Sequence, residues 1–148
     1  MSKIRSMMAR LWGDRAGGVA VEFAVAAPIL LAALGVMVDL GRAMYDDMSL
    51  SAAARTGVQY ARSKPDDAAG IQAAALASGG LSASASVSAQ KFCECPSGAA
   101  VSCTGSCPDG ALSTFVRVTV SQPFQAVMPV PVIASGTVLQ GQAVLRVM

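Results

Sequence analysis

The sequence predicts an α+β fold in which one long N-terminal helix, membrane-spanning in its first half, packs on a small antiparallel β-sheet with a disulfide-containing loop. Three observations support this prediction. Residues 23–38 carry no charged side chain, and the residues that follow keep helical spacing as far as Lys64. Further along, valines alternate with polar side chains in Phe115–Val120, which is typical of a half-buried strand.

The apolar stretch 18–38 contains one charged residue, Glu22. As a helix it extends roughly 32 Å, enough to cross a hydrocarbon core of about 30 Å. Lipid offers the backbone no hydrogen-bond partners, so a single spanning segment must be helical. A buried helix of a soluble protein fits this length poorly. We therefore expect a transmembrane helix over residues 18–40, kinked at Pro28.

The leader, residues 1–17, carries four basic side chains against Asp14 and has a formal charge of +3, whereas the whole chain is +2. Basic flanks of a span stay in the cytoplasm, so the segment after the span is expected on the other side. A secretory signal peptide is the alternative, although its apolar region is usually shorter. Because the positive charge belongs to the leader, no nucleic-acid partner is expected.

Glu22 lies four residues inside the apolar stretch, where an unpaired carboxylate is costly and a partner is expected. The alternative is that its side chain reaches back to the headgroups of the membrane lipid. Gly17, the last residue of the leader, and Gly18 after it form a small-residue cleavage point. The pattern thus predicts a fixed spacing between a new amino terminus and one acid.

After the span, residues 41–64 are expected to continue the helix as an amphipathic segment that ends before Pro65. Its predicted apolar face recurs every three or four residues: Leu40, Met44, Met48, Ser51, Ala54, Val58 and Ala61.

Residues 65–148 are expected to form a small α+β domain. Asp66 is predicted to cap a short helix that runs through Ser78. Strands are predicted over residues 81–92, 115–120 and 136–147, with a proline-rich extended connection between the last two. The serine- and alanine-rich start of the first strand also allows a linker.

Four cysteines lie close together in this domain and suit either two disulfides or one zinc site: Cys93, Cys95, Cys103 and Cys107. The spacing departs from the paired C-x2-C pattern of structural zinc sites, and the expected compartment is oxidising, so disulfides are favoured. Three connectivities remain open, and a Cys93–Cys95 bond fits strand geometry least well.

Catalytic signatures are missing from the sequence. It contains no histidine and no glycine-rich phosphate loop, nucleophile elbow or paired-carboxylate cleft. The sequence therefore predicts neither an enzyme nor a cofactor or metal.

The stretch from Arg15 to Ala61 resembles the opening of TadE-like proteins, the pseudopilins of the tight-adherence (Flp-type) pilus. The resemblance rests on Gly-x4-Glu-Phe at Gly17–Phe23, Asp-Leu-Gly-Arg at Asp39–Arg42, and Ala-Ala-Arg-x-Gly-x-x-Tyr-Ala at Ala53–Ala61. The C-terminal part is similar in its alternating strand and its Pro123–Phe124 step. The residues between Lys64 and Leu112 are similar to the family only in general character and carry no specific motif of it.

The resemblance implies a pilin-like fold and a minor pilin or pseudopilin needed for pilus assembly or surface adhesion. Its implied partners are a prepilin peptidase, other pilins and pseudopilins, and the pilus assembly machinery of the bacterial inner membrane. The N-terminus would be cytoplasmic and the C-terminus periplasmic, or part of an extracellular pilus. The alternative is an unprocessed single-pass membrane protein whose periplasmic domain binds a partner.

The resemblance also assigns roles to residues near the amino terminus. Cleavage after Gly17 places Glu22 and Phe23 at the fifth and sixth positions of the mature chain, as pilin-type proteins have them. Cleavage after Gly18, the alternative, departs from that pattern. In an assembly, the new amine at Gly18 can neutralise Glu22 of a neighbouring subunit, which offsets the burial cost of both charges.

Overall fold

The structure, a computed structural model, describes residues 17–128 and 136–147. Its elements are α1 (Gly18–Ala61), α2 (Ala68–Leu76), β1 (Ser86–Glu94), β2 (Ala100–Val101), β3 (Ser113–Pro123) and β4 (Val138–Arg146). The strands form one antiparallel sheet in the order β2-β1-β3-β4. The predicted α+β class, with a long N-terminal helix and a small antiparallel sheet, is confirmed.

The chain divides into two compact units. The N-terminal unit ends at Val38, and the C-terminal unit begins at Asp39. The core of the C-terminal unit joins one side of α1 to α2 and to the inward valines of β3: Leu50, Ala53, Ala54, Val58, Ala61, Ile71, Ala75, Val116, Val118 and Val120. The predicted inward valines of β3 are therefore correct.

The apolar face predicted for α1 is partly wrong. Leu40, Met44 and Met48 are 48%, 62% and 63% exposed, respectively. Ala54, Val58 and Ala61 of the predicted face are buried, as expected. They are joined by four residues that the prediction did not include: Ala43, Leu50, Ala53 and Gly57. The reason is steric, because small residues let two backbones approach closely where large side chains would hold them apart.

Two glycines mark the close approach of α1 to the sheet. A Cβ added to Gly57 would lie 3.0 Å from Cγ1 of Val118. A Cβ added to Gly141 in β4 would overlap the helix backbone at Leu50 and Ser51. By propensity alone, glycine weakens the interior of a helix or a strand. The structure shows instead that Gly57 and Gly141 are the positions where the packing requires no side chain.

The ends of α1 and α2 differ slightly from prediction. α1 ends at Ala61 rather than at Lys64, because Pro65 disfavours helical conformation in the residue before it and the last turn tightens. The N-cap of α2 is Asp67 rather than Asp66, and the helix ends at Leu76 rather than at Ser78. Gly79 and Gly80, in the turn that follows the helix, adopt positive φ angles, which residues with a side chain rarely adopt.

β1 begins five residues later than predicted, at Ser86 rather than at Leu81. The residues before it form turns, in which the Ser82 and Ser84 hydroxyls lie 2.9 Å apart. Ser86 pairs with Ser121, and the partner strand then reaches Pro123, which has no N–H to extend the ladder. The linker alternative thus describes the first part of this stretch correctly.

Candidate functional site

The residues of the predicted processing site lie at the beginning of α1. Gly18 is the first residue of the helix and Gly17 directly precedes it. Glu22 is exposed, and Phe23 is 69% exposed. Glu22 lies four residues after Gly18, so an amine at Gly18 and the Glu22 carboxylate share one helix face, about 6 Å apart along the axis.

The helix that carries this site is apolar and uncovered in its first half. Within the described residues, α1 is the one helix long and apolar enough to cross a membrane. Its most apolar segment of 18 residues contains no buried residue. Large side chains here are strongly exposed, among them Val19 at 75% and Ile29 at 68%. Apolar surface of this extent is typical of a membrane-contacting or protein-contacting segment.

A second polar cluster, the Asp39 clamp, consists of Asp39, Arg42 and the backbone of Gln125–Met128. Asp39 is 6% exposed. Its Oδ1 accepts the Val127 N–H and its Oδ2 accepts the Met128 N–H, each at 2.9 Å. The clamp thereby satisfies two backbone donors in a connection that has no ladder partner for them.

Arg42 completes the clamp from the next turn of α1. Its Nη1 lies 3.4 Å from Asp39 Oδ1 and donates to the Gln125 carbonyl oxygen at 3.2 Å. Its guanidinium also lies 5.7 Å from the centre of the buried Phe124 ring. The Asp-Leu-Gly-Arg step therefore holds residues 125–128, the first part of the β3–β4 connection, against α1. The sequence alone does not indicate this role.

A third polar contact joins α1 to α2. Asp67 accepts the Gly70 N–H at 2.9 Å as the N-cap of α2, and Tyr60 donates its hydroxyl to Asp67 at 2.9 Å. The pKa of Asp67 is lowered from 3.8, first by the Gly70 N–H and then by the Tyr60 hydroxyl, because both favour the charged carboxylate. The tyrosine of the Ala53–Ala61 motif thus fixes the turn after α1.

The lowered pKa of Asp67 predicts acid sensitivity. A carboxyl group with a depressed folded-state pKa contributes stability above its unfolded pKa of about 3.8, and this contribution is lost as the pH falls through the folded value. Asp67→Asn keeps a capping oxygen but does not titrate. We expect the urea midpoint of wild type to fall more than that of Asp67→Asn between about pH 5 and pH 3.

The matched control for this prediction is Tyr60→Phe, which removes the second hydrogen bond and leaves the cap. Its loss of stability at acid pH should lie between those of wild type and Asp67→Asn. Equal acid sensitivity in all three proteins, measured by pulse proteolysis of the full chain in detergent micelles, would refute this role of Asp67.

The cysteines form two disulfides, Cys93–Cys103 and Cys95–Cys107. All four cysteines are used, so none is left as a thiolate for zinc. Cys93 and Cys95 come from the end of β1 and its continuation, and both are buried. The two bonds tie the loop that contains β2 to the sheet, and they resolve the connectivity that the sequence leaves open.

Comparison with known proteins gives one match. Residues 17–59 match the family model of TadE-like proteins. No curated protein and no solved structure matches the chain. The resemblance seen in the sequence is therefore confirmed for the region that contains the predicted cleavage point, the apolar helix and the helical half of the Asp39 clamp. A TadE-like region indicates a protein associated with the tight-adherence pilus.

Proposed function

We propose that the chain is a minor pilin or pseudopilin of a tight-adherence pilus, cleaved by a prepilin peptidase after Gly17 and needed for pilus assembly or adhesion. One observation carries the proposal: within the TadE-like match, a glycine pair lies at the start of an uncovered apolar helix, and a single acid follows one turn into its apolar stretch. A permanent anchor has no need of this spacing, and an acid in lipid only weakens insertion.

Orientation follows from charge. The basic leader stays in the cytoplasm and the C-terminal unit lies in the periplasm, with α1 crossing the inner membrane. Gly17 is then at the cytoplasmic face, where the peptidase acts. The oxidising periplasm also suits the two disulfides.

Assembly relies on the charge pair between neighbouring subunits. Cleavage creates an α-amine at Gly18, and burying this amine or the Glu22 carboxylate alone would be costly. Pairing the amine of one subunit with Glu22 of the next removes both costs and sets their axial stagger. Phe23, beside Glu22 and exposed, supplies apolar contact area at the same level.

The C-terminal unit offers a further surface to other pilins and pseudopilins. Met44 and Met48 of α1 and Leu139 of β4 line an open, mainly apolar groove of about 420 Å³. Methionine side chains adapt to differently shaped partners. We propose that this groove and the helix surface at Glu22 and Phe23 bind other subunits. The proposed role is structural rather than enzymatic and involves neither a cofactor nor nucleic acid.

The Glu22 carboxylate provides the test of this assembly model. Glu22→Gln is nearly isosteric and removes only the charge, so the protein should still insert and be cleaved. Pilus output in a strain without the native copy should fall sharply, because the Gly18 amine is then buried without its partner. Counting surface pili by electron microscopy and immunoblotting the processed protein measure the two steps separately.

Glu94→Gln is the matched control, since it makes the same chemical change in β1, outside the apolar helix, and should leave piliation unchanged. Gly17→Leu should act one step earlier and leave uncut precursor in the membrane. Normal piliation by Glu22→Gln would refute the charge pair and favour a carboxylate that merely reaches the headgroups.

A further inference from the structure

We infer that the loop Gln125–Met128 rests in the lipid headgroup layer, beside the point where α1 leaves the bilayer, and gives the C-terminal unit a second contact with the membrane. The inference rests on the proposed function only in requiring that α1 spans a bilayer. Processing, pilus assembly and the identity of any partner protein do not enter into it.

The Asp39 clamp fixes the loop at one level of α1. Asp39 directly follows Val38, the last residue of the uncharged stretch 23–38. Its two carboxylate oxygens hold consecutive N–H groups of the loop at 2.9 Å, and Arg42 holds the Gln125 carbonyl oxygen. The loop is therefore tied to the first polar residue that follows the apolar stretch.

The charge pattern of the chain matches a membrane contact. No charged residue occurs between Arg117 and Arg146, a stretch that includes the loop and all of β4 before its last residue. Val127 is 66% exposed, and Val138, at the start of β4, is 56% exposed. Single exposed valines are ordinary on a protein surface, so it is the position of Val127 within the clamped loop that matters here.

The depth of the loop follows from helix geometry. The next acids along α1, Asp46 and Asp47, lie about 10–12 Å beyond Asp39 along the helix axis. A headgroup layer is about 5–8 Å thick on each side of the hydrocarbon core. A loop held at Asp39 therefore lies within this layer, whereas the two acids clear it.

Arg42 adds a favourable electrostatic contact at the same level. Its side chain is 45% exposed while it bonds the loop, so part of the guanidinium remains accessible to lipid phosphate. Long basic side chains near the end of a spanning helix reach the interface, where lipid phosphates are anionic. The carboxylate of Asp39, in contrast, is buried behind the loop and is kept away from those phosphates.

Site-specific labelling tests the inference in the full chain reconstituted into phosphatidylcholine vesicles. Both native disulfides use all four cysteines, so one added cysteine is the sole labelling site without reduction. A polarity-sensitive fluorophore is attached to Val127→Cys, to Ala69→Cys on the exposed side of α2, and to Val25→Cys within the apolar helix. Quenching by nitroxides on lipid headgroups or acyl chains then reports the depth of each label.

We expect headgroup nitroxides to quench the Val127→Cys label several-fold more than the Ala69→Cys label. Acyl-chain nitroxides should quench the Val25→Cys label most. Adding Asp39→Asn, which leaves one acceptor oxygen where two are needed, should lower quenching of the Val127→Cys label toward that of Ala69→Cys.

Three results would overturn the inference. If the Val127→Cys and Ala69→Cys labels are quenched equally while acyl-chain nitroxides quench Val25→Cys, α1 spans the bilayer but the loop does not contact it. If the Val25→Cys label is not quenched, α1 does not span the bilayer, and the inferred loop contact is refuted as well. The third result would be that the polarity-sensitive Val127→Cys label reports an apolar environment only at high protein-to-lipid ratios. Loss of that signal on dilution of the protein in lipid would show that a second copy, rather than the bilayer, covers the loop.

Discussion

Gly141→Ala is expected to destabilise the C-terminal unit by about 3 kcal/mol, at the upper end of the usual cost of overpacking. The added Cβ would overlap the backbone of α1 at Leu50 and Ser51. A flexible side chain could turn aside, but a helix backbone cannot, so either α1 or β4 must shift. The shift would also disturb Leu50, which is fully buried in the core. Urea denaturation of the full chain in detergent micelles, followed by pulse proteolysis, measures the loss.

Gly41→Ala is the matched control for this substitution. Nothing outside the local helix lies within 4 Å of a Cβ built on Gly41. The same exchange in a helix interior is therefore expected to stabilise by up to about 1 kcal/mol through helix propensity. Equal stability of Gly141→Ala and wild type would show that α1 and β4 are not in close backbone contact.

Removing one disulfide by the pair Cys95→Ala and Cys107→Ala is expected to cost about 3 kcal/mol, the chain-entropy value for a loop of this size. The cysteines are 12 residues apart, and the bond limits the freedom of that loop in the unfolded chain. The cost matters because the C-terminal unit is small and its core consists largely of alanine and valine. The change in urea midpoint measures it.

The double substitution Cys93→Ala and Cys103→Ala, at a separation of 10 residues, should lower the stability by a similar amount. Reducing both disulfides of wild type should lower the stability more than either double substitution does. Peptide mapping without reductant should show only the Cys93–Cys103 and Cys95–Cys107 links. Reactive thiols in the unreduced wild-type protein, titrated under denaturing conditions, would contradict this disulfide framework.

Local patterns in the sequence are sufficient to predict most of the fold. The uncharged stretch, the proline that follows the helix and the alternating valines of β3 are signals that each act over a few residues. The buried side of α1 is not predictable in this way. Met44 and Met48 dominate the hydrophobic pattern, yet Gly57 and its alanine neighbours make the contact, because a helix can approach a sheet only where side chains are small.

The site is predictable only where its spacing is local. Gly17 and Glu22 can be recognised because five residues of helix fix their relation. Asp39 is different: its partners lie 88 and 89 residues further along the chain, and no periodicity connects them. Two signals in the sequence are nevertheless usable. A carboxylate at the end of an apolar stretch requires a partner, and so do the N–H groups of a proline-rich connection that has no strand beside it.

Intact-mass measurement shows whether this chain is processed as a pilin-type subunit. The full chain is coexpressed with the prepilin peptidase of the same system, extracted in detergent and analysed by mass spectrometry. We expect a mass that lacks residues 1–17, so that the mature chain begins at Gly18 with Glu22 at its fifth position. Gly17→Leu should retain the leader under the same conditions. If wild type keeps its full-length mass in the presence of an active peptidase, the chain is not processed as a pilin and is an unprocessed membrane-anchored protein.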